Sequence, residues 1–480
     1  MRLSAHDASF LYTETASGPM HGITMFILDG AVTLREVRQF YAERIHLLPR
    51  FRQKLAFVPF NLAHPKWIDD PEFDLNHHIE AHAVPASTTV NRALEIALEL
   101  GEPLLDRSRP LWKLFVIENV EGKTILVQLA HHAFVDGATS VAMTTVFSET
   151  SPDAEAPEPP ATPWQPEPEP APFSLWQEAV AENARAGVNQ VQGVMATTQA
   201  AGEVAQKGLS LMQRMAKPVM QAPWNASLVG PKRSFARFTC MLTEIKEVKN
   251  ALGGTINDVV VAAVAEGAAR YLQSNGEVTE KQYLRLMCPV NVRDGDVDPK
   301  NLGGNRVSAM FPMVPAWPMT IAERYEHTRA ELTEIKANGE PEVLDQLQKL
   351  QPNTPPVAMA QTLSVGTQWD LTAAAARAPL PILPHQGGQR PQQLGFNFTC
   401  TNLPGPTWTQ YICGVKVEAI LGTLMLTGNL GLGVGVGSVD DKFNFGFTAD
   451  PRLVPDLARF AGYVEAAFAE LQQAAQQATA

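Results

Sequence analysis

This 480-residue chain has few cysteines, a net negative charge and no long apolar run. The four cysteines form no CxxC pair and no metal-finger spacing, which favours reduced thiols over a disulfide framework. The net charge of −12 argues against binding to nucleic acid through a cationic surface. No apolar run approaches the length of a membrane span, and the N-terminal segment lacks the apolar core of a secretory signal. We therefore expect a cytoplasmic protein without nucleic-acid partners.

The composition that remains is typical of a folded protein with more than one domain. Hydrophobic residues make up 45% of the chain and charged residues 18%, and 480 residues exceed one ordinary core. Proline, glutamate and alanine dominate residues 151–172, which predicts an extended, solvated linker because proline fixes φ and removes a hydrogen-bond donor. We therefore predict an N-terminal domain at 1–150, a linker with connecting helices at 151–222 and a C-terminal domain at 223–480.

The connecting segment at 173–220 predicts one or two helices with only a thin apolar stripe. Such helices can strap one domain to the other or lie on lipid. The strap is favoured because Lys and Arg are sparse in this segment.

Strand-like and helix-like patterns alternate in irregular order in both halves, which predicts an α/β fold of the mixed α+β kind. Strands are predicted at 23–30, 124–132 and 282–294, with two more within 422–447. Helices are predicted at 34–48, 90–100, 255–276 and 455–477, and a strand followed by a helix at 237–253.

The stretch LAHHAFVDGATS, residues 129–140, places two histidines at the end of an apolar run. Neighbouring side chains of a strand point to opposite faces, so His131 and His132 are expected to point to opposite sides. Asp136 is suited to cap the helix that follows, and Gly137 is suited to a turn.

Three interpretations of this stretch are open. A core histidine beside a capping aspartate and a turn glycine is the commonest use of such residues. A metal site is disfavoured, because adjacent opposed histidines chelate poorly and no HExxH or HxH pattern occurs. A neutral imidazole held at a strand end can also act as a general base towards a hydroxyl. That role needs a bound electrophile, because no Ser or Cys nucleophile motif accompanies the pair.

The segment HHAFVDG resembles the HHxxxDG motif of the acyl-CoA-dependent acyltransferase superfamily, which also occurs in peptide-synthetase condensation domains. Further blocks are similar to the bacterial wax ester synthase/diacylglycerol acyltransferase family. They are LSAHDASFLYTETASGPMHGITMF at 3–26, PLW at 110–112, ND at 257–258, LGGNRVSAMFPMVP at 302–315 and NLPGP at 402–406. The resemblance implies two chloramphenicol acetyltransferase-like domains, each a mixed sheet flanked by helices, with an active-site tunnel between them.

The same resemblance implies roles for the histidine motif. His132 would act as the base that takes the proton of an alcohol, and His131 would support its geometry. Asp136 would be a structural residue paired with Arg293, and Gly137 would support the turn.

Two further motifs receive roles from the resemblance. Asn257 would donate to the oxyanion from the start of a helix; an ordinary helix cap is the alternative. Asp258 would support that helix start. Pro110, Leu111 and Trp112 would form an acyl-binding wall, with a core position as the alternative for Trp112.

Glycines alternate with Leu and Val along residues 428–437. Glycine in a strand marks a close approach by backbone or ligand, and a smooth apolar surface suits an alkyl chain. Gly433 and Gly435 are therefore candidate substrate-binding residues. The pattern is not GxGxxG before a helix, so it does not indicate a nucleotide-phosphate site.

Together these features predict transfer of a long-chain fatty acyl group from acyl-CoA to a fatty alcohol or a diacylglycerol. Acyl-CoA is a co-substrate, and no cofactor, metal or acyl-enzyme is expected. The resemblance also implies peripheral association with the inner membrane or lipid inclusions. Two alternatives are a condensation-type amide or ester synthase with a carrier-bound donor, and a non-catalytic lipid-binding or lipid-droplet protein.

Overall fold

The computed structural model describes residues 1–135, 143–196, 200–291, 307–349, 392–393 and 395–479. The helices are α1 (Ala5–Thr13), α2 (Leu34–Arg44), α3 (Leu75–His78), α4 (Val90–Leu100), α5 (Pro172–Ala196), α6 (Ala200–Met215), α7 (Leu242–Leu252), α8 (Ile256–Ser274), α9 (Ile321–Ala337), α10 (Glu340–Lys349) and α11 (Leu457–Thr479). Single 3₁₀ turns lie at Ile45–Leu47, Pro49–Arg52, Pro59–Asn61 and Pro223–Asn225.

The strands of the described residues follow the same mixed order. They are β1 (His21–Leu28), β2 (Gln53–Ala56), β3 (Lys66–Asp69), β4 (Ile79–Ala81), β5 (Trp112–Val120), β6 (Lys123–His131), β7 (Val219–Met220), β8 (Ser234–Met241), β9 (Tyr283–Asn291), β10 (Val307–Met310), β11 (Met313–Pro315), β12 (Gln392–Gln393), β13 (Phe398–Leu403), β14 (Tyr411–Ile412), β15 (Val415–Gly422), β16 (Leu432–Val439) and β17 (Lys442–Ala449). Each predicted helix and strand that falls on the described residues has a counterpart here, whereas the start of the helix predicted after Asp136 lies outside them.

Two large mixed sheets organise the fold. The first has the order β14-β15-β1-β6-β5-β4, in which only β4 and β5 pair in parallel. The second has the order β10-β9-β13-β16-β17-β8, with β11 also paired to β9, and β13 runs parallel to both its neighbours. The predicted mixed α/β fold class is therefore confirmed.

The first sheet contains strands from both ends of the chain. β15 pairs with β1 in antiparallel register, so that Thr24 lies opposite Gly422, and the chain then returns to the second sheet at β16. Residues 411–422 thus complete the sheet of the predicted 1–150 domain, an exchange that the predicted boundaries did not include. The edge of β1 can pair with any strand that has a suitable side-chain pattern. The sequence of β1 alone therefore does not predict that β15 is its neighbour.

The hydrophobic core of the second sheet surrounds α8. The run of valine and alanine in this helix is buried on nearly every face. Thr255 caps this helix, and it ends before Gly276, which has a left-handed φ of 76°. At Gly267 an added Cβ would lie 2.3 Å from a side-chain carbon of Val464, so glycine permits the close packing of α8 on α11.

The connecting segment forms two helices that bridge the two halves. α5 buries Leu175 and Ala179 against the N-terminal half. At the end of α6, Arg214 forms ion pairs with Glu331 and Glu340 of the C-terminal half. These contacts are those of the predicted strap.

Among the described residues, no single helix is long and apolar enough to cross a membrane. The bent pair Leu242–Leu252 and Ile256–Ser274 reaches the required length and apolarity only when its two helices are taken together, across a bend of 95°.

Candidate active site

The histidine pair stands at the end of β6. This strand ends at His131, which lies opposite His21 of β1, and His132 begins the turn that follows. The backbone N–H of His132 donates to the carbonyl of Met20 at 2.7 Å. Strand alternation predicted that the side chains of His131 and His132 point to opposite faces. That argument needs both residues in one strand, and His132 lies outside β6.

His131 is completely buried. Its backbone N–H donates to the carbonyl of Leu111 at 3.0 Å, and its Nδ1 accepts the N–H of Ala133 at 3.0 Å. An accepting Nδ1 assigns the proton of the neutral ring to Nε2. Nε2 lies 3.4 Å from Oε1 of Glu14 without forming a hydrogen bond, so the carboxylate lies against the second nitrogen of the ring.

Glu14 is the carboxylate beneath this histidine, and its side chain is only 1% exposed. It accepts the N–H of Met20 at 2.9 Å and a guanidinium N–H of Arg107 at 2.8 Å. Burial alone would raise the pKa of Glu14, but its contact with His131 and its hydrogen bonds from Met20 and Arg107 lower it to about 2. The carboxylate is therefore ionised at neutral pH.

His132, in contrast, is half-buried. It stacks on Phe10 of α1, with 4.2 Å between ring centroids and 25° between planes. α1 is itself fixed at its start, where Ser4 accepts the N–H of Asp7. A phenyl ring on a capped helix therefore restricts the plane of the imidazole.

Glu14 and Phe10 are the two positions that the sequence interpretation missed. Both lie in the opening block at 3–26, which was used only as a family signature. No local pattern separates them from their neighbours, because their partners lie at the far end of β6. The contacts of this block with the histidine motif arise only on folding, so the sequence carries no signal for them.

The residues Pro110, Leu111 and Trp112 are buried. Trp112 donates its indole N–H to the carbonyl of Phe51 at 2.9 Å and stacks on His78 at 4.5 Å. Leu111 supplies the carbonyl that holds His131. These contacts favour the core alternative for Trp112, and the motif lies at the start of β5, the strand paired with the histidine strand β6.

At the start of α8, Thr255 and Asp258 form a reciprocal pair. The N–H of Thr255 donates to Oδ2 of Asp258 at 2.7 Å, and the N–H of Asp258 donates to Oγ1 of Thr255 at 3.3 Å. Asn257 is the second residue of the helix and is half-buried. The interpretation of Asn257 as an ordinary cap is therefore wrong, because Thr255 has that position.

Two family models match the chain in succession. The model of the wax ester synthase/diacylglycerol acyltransferase catalytic domain matches residues 3–260. The model of the C-terminal domain of the same family matches residues 303–472. The chain belongs to the wax ester synthase/diacylglycerol acyltransferase family. It is therefore an acyltransferase, as the sequence resemblance implied.

Similar proteins agree with this membership. A putative diacylglycerol O-acyltransferase of Mycobacterium tuberculosis is 30% identical over 471 residues, covering 95% of this chain and 87% of its own length. The solved wax ester synthase/diacylglycerol acyltransferase from Marinobacter aquaeolei VT8 matches with a TM-score of 0.65 at 20% identity, over 99% of this chain and 100% of that one. The starter condensation domain of rhizomide synthetase matches with a TM-score of 0.57 at 14% identity, over 98% and 94% of the two chains. The structural likenesses support the predicted fold.

In this acyltransferase, the glycines of β16 pack against the protein's own chain. A Cβ at Gly433 would lie 3.0 Å from Cβ of Leu424, and one at Gly435 would lie 3.6 Å from Cγ of the same leucine. The predicted close approach is thus made by the segment that follows β15. The described contacts give no support to an alkyl-binding role for these two glycines.

The remaining predicted residues of the acyltransferase site, Asp136, Gly137 and Arg293, lie outside the described residues. The predicted pairing of Asp136 with Arg293 therefore stays a prediction.

Proposed function

We propose that this acyltransferase moves a long-chain fatty acyl group from acyl-CoA to the hydroxyl of a fatty alcohol or a diacylglycerol. The observation that supports the proposal is the contrast within the histidine pair. His131 is buried and held by fixed partners, whereas His132 is half-buried and stacked on Phe10. One ring is thus suited to support, and the other to contact with a substrate.

In the proposed reaction, the imidazole of His132 takes the proton of the acceptor hydroxyl. The oxygen attacks the thioester carbonyl carbon, a C–O bond forms, and the carbonyl oxygen becomes an oxyanion. The oxyanion collapses, the C–S bond breaks, and the imidazolium returns its proton to the leaving thiolate. The products are an ester and free CoA, and no acyl-enzyme forms. A base of this kind contributes about 10²–10⁴-fold to the rate.

Two supporting roles belong to the same proposal. Asn257, near the start of α8, would donate to the oxyanion, where the positive end of the helix dipole also favours negative charge. Asp136 and Arg293 would form the structural pair that orients the turn after His132. The substrates would meet in a tunnel between the two sheets.

We also propose that the enzyme contacts the membrane or lipid inclusions peripherally. A fatty alcohol or a diacylglycerol is insoluble in water, so an enzyme acting on it gains from a lipid surface.

The test is release of free thiol from palmitoyl-CoA in the presence of hexadecanol or diolein. We expect release with at least one acceptor, and about a 10²-fold or greater loss in His132→Ala. His77→Ala is the matched control, because His77 is an exposed histidine. Absence of release with either acceptor would refute acyl transfer from CoA. Release that survives in His132→Ala would refute the base.

A further inference from the structure

A cluster of apolar side chains lies exposed beside the start of α5. Phe60 is 83% exposed and Phe173 is 64% exposed. With Pro59, Pro172 and Trp176 they line a shallow apolar groove of about 430 Å³. We call these five residues the aromatic patch.

The start of α5 carries two apolar faces, although a strap needs only one. Leu175 and Ala179, four residues apart, pack inward against the N-terminal half. Phe173, Trp176 and Val180 follow at spacings of three and four residues on a separate face, where Phe173 and Val180 are exposed. The second face has no role in holding the strap.

The turn that carries Phe60 presents its ring to solvent. Phe60 has a φ of 60°, in the left-handed region that a bulky side chain rarely adopts. The turn is nevertheless closed by the N–H of Asn61, which donates to the carbonyl of Val58 at 3.0 Å. Asn183 of α5 donates to the carbonyl of Leu62 at 2.9 Å and ties the helix to this turn. The patch is therefore a built feature of two elements and not one stray side chain.

Two lysines beside α5 and the linker are paired with acidic side chains. Lys66 pairs with Glu178 of α5 at 2.8 Å, and Lys54 pairs with Glu169 of the linker at 3.1 Å. A partner recognised through charge would find little uncompensated charge in these pairs. The patch thus suits an uncharged apolar surface.

The size of the patch argues against a second protein as its partner. At about 200 Å² for a whole phenylalanine side chain, the exposed parts of Phe60 and Phe173 amount to roughly 300 Å². A stable protein interface needs about 800 Å² on each side. Insertion of a few aromatic rings between lipid headgroups needs no such area.

We propose that the aromatic patch docks the protein on a phospholipid surface by inserting Phe60 and Phe173 among the acyl chains. The proposal rests on the peripheral lipid contact included in the proposed function, and assigns it to one surface. Docking would depend on apolar burial and not on anionic headgroups.

The first experiment measures flotation of the full chain with phosphatidylcholine vesicles, without acyl-CoA or acceptor. The double variant Phe60→Asn/Phe173→Ser should reduce partition by about tenfold or more. Asparagine tolerates the left-handed backbone, so Phe60→Asn preserves the turn. Trp408→Ser is the matched control, because Trp408 is an exposed aromatic residue outside the patch. Binding should persist between about 0.1 M and 1 M NaCl and need no phosphatidylglycerol.

The second experiment uses the unaltered patch. Brominated phosphatidylcholine should quench part of the tryptophan fluorescence, and Trp176→Phe should remove that part, because Trp176 lines the patch. A wild-type chain that does not float would overturn the lipid contact itself, whereas a double variant that floats as well as wild type would overturn only the assignment to the patch. A requirement for anionic lipid at low salt would also overturn it, as would a wild-type dimer that the double variant dissociates. Neither experiment depends on turnover, so a failure of acyl transfer remains distinguishable.

Discussion

Replacement of Glu14 by glutamine tests the arrangement beneath the histidine pair. The amide keeps the shape of the carboxylate but removes its charge. It also replaces one acceptor oxygen by an N–H₂ donor, which then faces either the N–H of Met20 and His131 at the Oε1 position or Arg107 at the Oε2 position. The substitution therefore removes the charge-assisted bonds and leaves the cavity filled.

The magnitude follows from the pKa of Glu14. A carboxyl whose pKa falls from 4.5 to about 2 on folding contributes about 3 kcal/mol of stability at neutral pH. Because the folded pKa is the lower one, this contribution is complete above pH 4.5 and is lost as the pH falls towards 2. About 0.8 kcal/mol should be gone by pH 4. The cost of leaving Arg107 unpaired is small, since its side chain is 34% exposed and can turn to water.

The assay is urea denaturation of the wild type and Glu14→Gln at pH 7 and pH 4. The difference in the free energy of unfolding should be about 3 kcal/mol at pH 7 and smaller at pH 4. Glu95→Gln is the control, because Glu95 forms an exposed ion pair with Arg92, worth at most about 1 kcal/mol. At pH 7, kcat should fall about 10- to 100-fold with KM unchanged, because a support of the site is displaced.

Two results would refute this reasoning. A stability difference that stays constant between pH 7 and pH 4 would mean that the ionised carboxylate does not stabilise the fold. Full activity in a destabilised Glu14→Gln would mean that Glu14 holds the fold without positioning the histidines.

Four further substitutions test the positioning role of Phe10, the core role of Trp112 and the packing around two glycines. Phe10→Leu removes the ring stacked on His132, so kcat should fall about tenfold at unchanged KM for palmitoyl-CoA; an unchanged kcat would contradict positioning by the ring. Trp112→Phe removes a buried hydrogen bond and buried volume, so urea denaturation should show a loss of about 2 kcal/mol. The preference of the Trp112→Phe variant for acyl chain length should be unchanged. An altered preference at full stability would instead mean that Trp112 contacts the acyl chain of the substrate. Gly433→Ala should destabilise by about 1–3 kcal/mol because a leucine fills the space. Gly462→Ala, with open space beside it on α11, should stabilise by about 0.5–1 kcal/mol; thermal melts in the opposite order would contradict both assignments.

Many of the elements could be predicted from the sequence, because helical and strand periodicity depend on neighbours within a few residues. α8 shows this well: its start at Thr255, its apolar run and its glycine stop are all local signals. The end of β6 was less predictable, since His131 and His132 are equally polar, and only the pairing with His21 decides where the ladder stops.

The site was predictable where a motif names its residues and unpredictable where partners are distant. The histidine motif was found directly. Glu14 was not, because a glutamate after a helix has the same local pattern whether it is solvated or lies under a buried imidazole. The sequence left two roles open for Trp112, part of an acyl-binding wall or a core residue, and its hydrogen bond to Phe51 favours the core role.

The sequence by itself determined the mixed order of helices and strands, the strap between the two halves and the membership of an acyltransferase family. Only the tertiary structure decided that β15 completes the first sheet, that Glu14 supports His131, and that Leu424 packs against the glycines of β16. The physical reason is distance along the chain. The N–H of Ile23 donates to the hydroxyl of Thr423, 400 positions away. Contacts of this kind are selected by burial and hydrogen bonding in the folded chain, and no spacing in the sequence records them.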